Sequence, residues 1–331
     1  MKILITGNLG YIGSVLTNEM KDKYEIIGFD IGYFKDCILK ETVSSFKQVI
    51  KDINDIVSSD LENIDAVVHL AALSNDPLGE FDKKNTYQTN YLSTVQLAKL
   101  AKENKIKRFV YVSSQSMYGV ADLSKELDED SSNKSPVTEY ARTKWEAEKD
   151  LRKLNSEDFT VVMLRPSTVF GVSPRLRCDI IFNNLIACAY TTKKIQIKSD
   201  GSPWRPVIHV KDVCSSIIAC LEAPKEKISG QAFNVGLKNG NYTVKQLALE
   251  AQRAVPGSSI VFTNEHKNDP RTYKVSFKKI YKILGDYYKP RWTLEMGAKE
   301  LIDFFSSIKF DEEDFRGFRT NRLIALKKYF I

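Results

Sequence analysis

The sequence predicts an α/β protein in which a doubly wound parallel sheet is followed by a smaller, mixed α/β C-terminal lobe. Strand-like and helix-like segments alternate through the first half of the 331 residues, which is typical of a parallel sheet with helices on both faces. The chain opens on a short apolar run that is followed at once by closely spaced glycines. The regular alternation ends near Gly171, where a less regular region begins.

The first glycines predict a turn that binds phosphate. Residues 3–5 form a short apolar run typical of a central parallel strand, and a helix is predicted to start near Tyr11. Gly7 permits the sharp turn, Gly10 has no Cβ to collide with a pyrophosphate, and Gly13 lets the helix pack against the strand. The free N–H groups at the helix N-terminus would face the anion.

An acidic residue at the end of the second apolar run extends this pattern to a dinucleotide site of the Rossmann type. Asp30 lies about twenty residues beyond the glycines, where a carboxylate binds the adenosine ribose. A 2′-phosphate would be repelled there, and residues 31–33 offer no arginine, so the sequence favours NAD over NADP. The alternative is an ordinary turn followed by an aspartate that caps a helix.

Six strands are predicted in the first half, at residues 2–6, 25–30, 46–50, 66–71, 108–113 and 161–164. Asp52 follows the third strand where an adenine amino group would lie, although a surface turn explains it equally well. His69 lies in the fourth strand, and a hydrogen-bonded core histidine is preferred to a catalytic one. Asn90 falls in a long amphipathic helix predicted over residues 81–104, where it could brace the fifth strand.

The second half predicts a division into lobes. Residues 1–171 form the predicted NAD-binding domain, and residues 207–237 are predicted to return to it. Residues 172–206 and 238–310 form the predicted substrate-binding lobe. Residues 311–331 form a C-terminal tail, interpreted as a closing helix or a subunit contact rather than a membrane tether. Within the lobe, helices are predicted after Thr243, whose hydroxyl caps the first, and from Thr293 to about Phe305.

Composition excludes several classes of function. Hydrophobic residues make up 43% of the chain, enough for a large core. The net charge of +7 is spread without a long basic block, which favours small polyanions over nucleic acid. Five cysteines without a Cys-x-x-Cys pair predict reduced thiols and no metal site. No apolar run reaches the roughly eighteen residues that span a bilayer, and no export signal is visible, so a cytoplasmic protein without membrane contact is expected.

A tyrosine and a lysine four residues apart predict a catalytic pair. On a helix, Tyr140 and Lys144 would lie on one face, about 5–6 Å apart at Cβ, so the ammonium could lower the pKa of the phenol from its usual value of about 10. Ser114, at the end of the fifth strand, could donate to the same reacting oxygen. Together they would move a proton at a sugar hydroxyl while hydride passes to the nicotinamide. A polar turn is the alternative for the serines.

These motifs together resemble the extended short-chain dehydrogenase/reductase family, specifically its nucleotide-sugar epimerase/dehydratase branch, whose founding type is UDP-galactose 4-epimerase. The resemblance covers nearly the whole chain and includes the His-Leu-Ala-Ala, Arg-Pro-Ser-Thr-Val-Phe-Gly and His-Val-Lys-Asp segments at residues 69–72, 165–171 and 209–212. The run at residues 168–177 also resembles bacterial GDP-heptose 4-dehydrogenases of capsule pathways.

The resemblance implies NAD as cofactor, catalytic roles for Ser114, Tyr140 and Lys144, and a homodimer formed through the helices around residues 81–104 and 138–155. The predicted cofactor-binding residues are Gly7, Asn8, Gly10, Tyr11, Ile12, Gly13, Asp30, Ile31, Asp52, Ile53, Leu70, Ala71, Ala72, Asn90, Tyr140, Lys144 and Pro166.

The resemblance also places Asn184, Arg205 and Arg271 at the nucleoside diphosphate of the substrate. Guanidinium groups suit diphosphate oxygens because they bind them in bidentate fashion. Thr168 stands where most relatives carry an asparagine beside the sugar phosphate. The predicted residues that bind the nucleotide-diphosphate sugar are Ser114, Thr168, Arg175, Arg177, Asn184, Arg205 and Arg271.

Departures from the family pattern narrow the expected reaction. Family 4,6-dehydratases carry an Asp-Glu pair where this chain has Gln115 and Ser116, so a standard 4,6-dehydratase is disfavoured. The acidic residue and arginine of the sugar-acid decarboxylases are also missing. The sequence favours an NAD-dependent epimerase or 4-dehydrogenase acting at C4 of a hexose or heptose, in nucleotide-sugar or surface polysaccharide biosynthesis. The alternative is a catalytically silent NAD-binding or sensing protein on the same fold.

Overall fold

The computed structural model describes residues 1–41, 46–263 and 272–330. The strands within these ranges are β1 (Lys2–Thr6), β2 (Glu25–Asp30), β3 (Lys47–Ile50), β4 (Ala66–His69), β5 (Arg108–Val112), β6 (Thr160–Pro166), β7 (Thr168–Phe170), β8 (Lys194–Ile197), β9 (Trp204–His209), β10 (Ala232–Val235), β11 (Asn241–Thr243) and β12 (Ser259–Phe262). The α-helices are α1 (Tyr11–Met20), α2 (Asp76–Phe81), α3 (Lys83–Tyr87), α4 (Ser93–Glu103), α5 (Glu139–Leu154), α6 (Ile181–Thr192), α7 (Val210–Glu222), α8 (Lys225–Ile228), α9 (Val244–Ala254), α10 (Lys278–Leu284), α11 (Leu294–Ser307), α12 (Glu312–Arg316) and α13 (Arg322–Phe330).

A seven-stranded parallel sheet confirms the predicted fold class. Its strand order is β10-β6-β5-β4-β1-β2-β3, with every neighbouring pair parallel. The chain runs outward from β1 to β3 and then in the opposite direction from β4, so the order reverses between β1 and β4. In sheets of this kind ligands bind at that reversal, outside the carboxyl ends of the strands.

Both faces of the sheet are buried, as the apolar runs of its strands require. Ile3 and Ile5 pack on one face in a cluster that includes Leu16 of α1 and Ile217 of α7. Leu4 points to the other face, which is covered by side chains of α4 and α5. This alternation fixes the register of β1 and therefore the position of the glycine turn that follows it.

The second half forms two small sheets and corrects one prediction. Residues 207–213 do not return to the large sheet: β9 pairs with β7 and β11 in a three-stranded sheet, and α7 begins at Val210. Within residues 207–237, β10 joins the large sheet beside β6, and α7 packs on a face of that sheet. The apolar run indicated a buried strand, but an apolar run is compatible with either sheet. The second small sheet pairs β8 with β12, and Thr243 and Thr293 cap α9 and α11 as predicted.

The long helix predicted over residues 81–104 is present as a continuous helical run over residues 83–103, and the type of helix changes within it. Asp82 is extended and caps α3 by accepting from the Asn85 N–H, and a π-helical turn at Gln88–Leu92 separates α3 from α4. That turn carries Asn90, whose amide exchanges two hydrogen bonds with the backbone of Leu73, at 2.8 and 3.1 Å. Asn90 therefore braces the loop after β4, not the fifth strand.

His69 is a buried, hydrogen-bonded core residue, as the sequence favoured. Its ring nitrogens lie 2.7 Å from the Thr6 hydroxyl and 2.8 Å from the Thr94 hydroxyl. Since the Thr94 hydroxyl donates to the Asn90 carbonyl, His69 Nε2 donates to Thr94 and Nδ1 accepts from Thr6. Burial, aided by the charge of Lys144, lowers the pKa of His69 from its usual value of 6.5 to about 3.

Because His69 is buried in its neutral form, we expect the free energy of unfolding to fall in acid. Between pH 6.5 and 3 the unfolded chain binds a proton that the folded protein does not, so stability falls as pH falls through that window. Between pH 7 and pH 4 we expect His69 to remove about 3 kcal/mol from the free energy of unfolding, measured by urea titration. Between pH 7 and pH 4 the free energy of unfolding of the variant His69→Gln should fall by about 3 kcal/mol less than that of the wild type. Equal falls in the two proteins would contradict a neutral, buried His69.

The C-terminal helix α13 lies over the first domain. Leu326 packs with Leu73 and Leu78 in a small cluster that also contacts Tyr33 and Phe34. Among the helices of the described residues, none has the length and apolarity to cross a membrane. All five cysteines are buried and free, consistent with reduced core thiols.

Candidate active site

One cavity of about 910 Å³ lies between the carboxyl edge of the large sheet and the elements of the second half. It combines backbone of the glycine turn with side chains of α5, α6, β8 and β9. The predicted site residues that line it are Gly7, Gly10, Tyr11, Ile12, Gly13, Asp30, Ile31, Asp52, Ile53, Leu70, Ala71, Ala72, Ser114, Tyr140, Lys144, Pro166, Thr168, Arg177, Asn184 and Arg205.

The glycine turn has the geometry that a diphosphate needs. Gly7 has φ +72°, and a Cβ there would lie 2.6 Å from the Ala71 nitrogen. A Cβ on Gly13 would lie 2.3 Å from the Gly7 carbonyl oxygen, so the helix can approach the turn only with glycine at that position. No side chain caps the N-terminus of α1 at Gly10, which leaves its first N–H groups facing the cavity. These residues fit the pyrophosphate of NAD.

Asp30 closes the same side of the cavity. Its carboxylate accepts from the Leu9 N–H at 3.1 Å and from the Gly32 N–H at 2.8 Å, so it is fixed by the two loops that border the cavity. Burial raises the pKa of Asp30, and the two N–H groups partly offset that effect. Asp52 lines the cavity and also caps a short 3-10 helix at Ile53–Asp55. The two interpretations of Asp52, a residue near the adenine and a residue of a turn, are therefore compatible.

Three predicted site residues lie outside the cavity. Asn8 is buried and exchanges two hydrogen bonds with Gln48 of β3, which ties the glycine turn to the sheet. Asn90 is buried against Leu73, as described above. Arg175 is buried near Asp30, and its Nε has no hydrogen-bond partner. Arg271 lies outside the described residues.

Helix α5 positions the predicted catalytic pair. Thr138 caps it by accepting from the Ala141 N–H at 3.2 Å, and the Thr138 hydroxyl donates to Asp76 at 2.6 Å. Gly79 of α2 packs directly on the helix, since a Cβ there would lie 2.8 Å from Cβ of Tyr140. The close approach of α2 holds Tyr140 at the cavity wall, where it is hydrogen-bonded to Ser114.

Lys144 lies one turn further along α5, on the same face as Tyr140. Its ammonium donates to the Val112 carbonyl at 2.8 Å and lies 4.7 Å from the centre of the Tyr111 ring. Burial lowers its pKa from 10.5 to about 7, although the charge of Glu148 acts in the opposite direction. The lysine is thus held at the end of β5.

The structure corrects the predicted acidity of the phenol. Burial raises the pKa of Tyr140 to about 12, and the Asp76 charge acts in the same direction. The groups that lower it are the hydrogen bond from Ser114 and the charge of Arg177. The Lys144 ammonium, which the sequence analysis expected to lower this pKa, donates to the Val112 carbonyl, and burial lowers its own pKa.

The second half supplies polar side chains that the sequence identified only in part. Asn184 donates to the Cys178 carbonyl at 2.8 Å, and Arg205 to the Trp204 carbonyl at 2.9 Å. Asp179 lies two residues after Arg177 in the sequence, and this spacing of opposite charges is a signal that could have identified it. Arg322 of α13 is 2% exposed and also lines the cavity, but no local pattern marks it. Further lining residues that the sequence did not single out are Lys51, Ser74, Asp76, Gln196 and Lys198.

The fold and the cavity define a dinucleotide-binding α/β protein with a serine, a tyrosine and a lysine beside the cofactor groove. The profile of the NAD dependent epimerase/dehydratase family matches residues 3–236, and the chain belongs to that family. This membership agrees with NAD as the predicted cofactor.

Relatives within the family include epimerases and dehydratases. The chain is 28% identical to an uncharacterized UDP-glucose epimerase of Bacillus subtilis, over 93% of this chain and 99% of the relative. It is also 28% identical to a human dTDP-D-glucose 4,6-dehydratase, over 92% and 89% of the two chains. A UDP-glucuronic acid 4-epimerase from Bacillus cereus, solved with NAD, superposes with a TM-score of 0.80 at 26% identity, over 95% of this chain and 99% of that one.

Proposed function

We propose that this protein is an NAD-dependent enzyme that acts at C4 of a nucleotide-diphosphate hexose or heptose, inverting that carbon or releasing the 4-keto product. The observation that carries the proposal is the position of Tyr140: it lies in the wall of a cavity that joins the glycine turn to Arg205, with Ser114 hydrogen-bonded to it. When bound, NAD would supply the redox chemistry by accepting hydride from the sugar carbon.

The roles of the protein groups follow from their contacts. Tyr140 would take the proton of the sugar hydroxyl, and Ser114 would hold the reacting oxygen. Lys144 would bind the nicotinamide ribose and stabilise the phenolate once its ammonium turns from Val112. Asn184 and Arg205 lie on the second-half side of the cavity, where they would bind the diphosphate.

The cavity supports C4 chemistry better than elimination of water. Gln115 is 1% exposed, and its amide donates to the Arg165 carbonyl at 2.9 Å, while the Ser116 hydroxyl donates to Ser114. Neither side chain is an acid or base. The cavity carboxylate of Asp76 accepts from Thr138, and that of Asp179 is paired with Arg177. Because the relatives include dehydratases, elimination of water has to be tested directly.

A product assay tests the proposal. Purified protein would be incubated with UDP- and GDP-sugars, while C4 inversion is followed by NMR, a 4-keto product by trapping, NADH by absorbance and loss of water by mass spectrometry. We expect C4 inversion or a 4-keto product that retains its C6 oxygen. A dehydrated product would make the enzyme a 4,6-dehydratase, and bound NAD without turnover on any nucleotide sugar would favour the silent NAD-binding protein.

The assembly is part of the same proposal. The predicted homodimer would form through the surface of α4 and α5, which pack on each other. Light scattering of the purified protein measures its mass in solution and tests this directly.

A further inference from the structure

An ion pair lies beside the reacting tyrosine. Arg177 donates through Nε and Nη2 to the two carboxylate oxygens of Asp179, both at 2.9 Å, and through Nη1 to the Ser74 hydroxyl at 2.9 Å. The two charged side chains are only 7% and 12% exposed, and both line the cavity. Ser74 and Asn75, which bond to the pair, lie at the start of α2, and α2 packs on Tyr140 through Gly79, so the pair lies near the reacting tyrosine.

The pair holds both charges in place. The bidentate contact and the bond to Ser74 use one N–H on each of the three guanidinium nitrogens of Arg177. Asp179 also accepts from the Arg322 N–H at 3.3 Å and from the Asn75 amide at 3.4 Å. Burial acts to raise the pKa of Asp179, but the charge and hydrogen bonds of Arg177, together with the charge and N–H of Arg322, keep that pKa below its usual value. The carboxylate therefore stays ionised at neutral pH.

A sugar that carries its own carboxylate would bind less well beside this ion pair than a neutral sugar would. With C4 at Tyr140, a carboxylate at C6 is two bonds away from the reacting carbon and lies among the groups around that tyrosine. It would face the negative charges of Asp76 and Asp179, while the charge of Arg177 is already compensated by Asp179. A second carboxylate buried here finds no uncompensated cation, which is strongly unfavourable.

We infer that Asp179 determines which sugars the enzyme accepts, by keeping Arg177 paired so that the reacting end takes sugars that are neutral at C6 and rejects uronic acids. The inference rests on the proposed function and names the substrate class for that same cavity. Arg177, which the sequence placed among the diphosphate ligands, thereby becomes part of the sugar subsite. Asp179 is a positioning residue, since it acts through Arg177.

The wild-type enzyme gives the first test. Matched nucleotide sugars that differ only at C6 would be compared: UDP-glucose with UDP-glucuronic acid, and GDP-mannose with GDP-mannuronic acid. In the pair of sugars that the enzyme turns over faster, we expect the neutral sugar to be favoured by about 100-fold in kcat/KM, since burying a carboxylate without an uncompensated cation costs at least that factor. A preference for the uronic acid would overturn the inference.

The variant Asp179→Asn gives the second test. The amide keeps the size of the side chain but frees the charge of Arg177, so the ratio of uronic acid to neutral sugar should rise by about 10-fold or more. The matched control is Asp150→Asn, which removes a carboxylate paired with Lys153 outside the cavity and should leave the ratio unchanged. An Asp179→Asn enzyme that is slower on both sugars with the wild-type ratio would overturn the inference.

Binding measurements keep the test independent of turnover and of folding defects. Calorimetry on the NAD-loaded protein gives the affinity of each sugar, and tighter binding of the neutral sugar is expected even where no product forms. The double variant Arg177→Met, Asp179→Leu removes both charges and should still prefer the neutral sugar; a switch to the uronic acid would contradict the proposed role. Failure of turnover with the expected affinity ratio would count against the proposed reaction alone.

Discussion

Replacing Tyr140 with Phe is expected to lower kcat by about 10²- to 10⁴-fold, the range in which a positioned general base contributes to turnover. The phenyl ring fills the same space beside Gly79, so the fold and the binding of NAD should be retained. Only the hydroxyl that is hydrogen-bonded to Ser114 is lost. The measurement is the initial rate of C4 inversion or 4-keto product formation on the best nucleotide sugar.

The control for this variant is Tyr91→Phe, which removes a hydroxyl that donates to Asp150 at 2.6 Å, and neither residue lines the cavity. It should keep near wild-type turnover and the same NAD content. Undiminished turnover of the Tyr140→Phe enzyme would show that another group removes the proton, and the proposed mechanism would then be wrong.

The second large effect is on stability and comes from the buried ion pair behind the active site. Arg165 of β6 and Glu148 of α5 have side chains that are 0% exposed, joined at 2.9 Å through Nε and at 2.6 Å through Nη2. The variant Arg165→Met leaves the Glu148 carboxylate buried without a partner. We expect the free energy of unfolding, measured in urea, to fall by about 3–5 kcal/mol.

A double variant separates the charge from the packing. Arg165→Met combined with Glu148→Leu replaces the pair with apolar side chains and should recover most of the loss, since such replacements are near neutral in other proteins. A single variant that loses less than about 1 kcal/mol would mean that water or a neighbouring group compensates the carboxylate. The charge of Glu148 also raises the pKa of Lys144, so the double variant, which removes Glu148, should lower that pKa further.

Features that depend on short spacings could be predicted from the sequence. Gly7, Gly10 and Gly13 specify a turn within a few residues, and Asp30 ends the next strand of the same unit. Tyr140 and Lys144 share a face because a helix brings residues four apart together. In each case the geometry follows from local backbone structure.

Features that depend on tertiary contacts could not be predicted. The pKa of Tyr140 is set by burial under α2 and by Ser114 and Arg177, none of which is adjacent to it in sequence. The apolar residues of β9 indicate a buried strand, but they do not indicate which sheet it joins. That sheet is determined by the positions of β7 and β11. The π-helical turn at Gln88–Leu92 carries Asn90 to the backbone of Leu73, a tertiary contact that the helical pattern of the sequence does not contain.

The wall of the cavity combines Gly7 with Arg322, residues from opposite ends of the chain. The guanidinium of Arg322 donates to the Arg175 carbonyl, which binds α13 to the segment that carries Arg177. The match to the family profile stops at residue 236, yet the cavity does not close there. Residues up to 236 therefore supply the glycine turn and Tyr140, but the complete wall of the cavity also needs the C-terminal helix that carries Arg322.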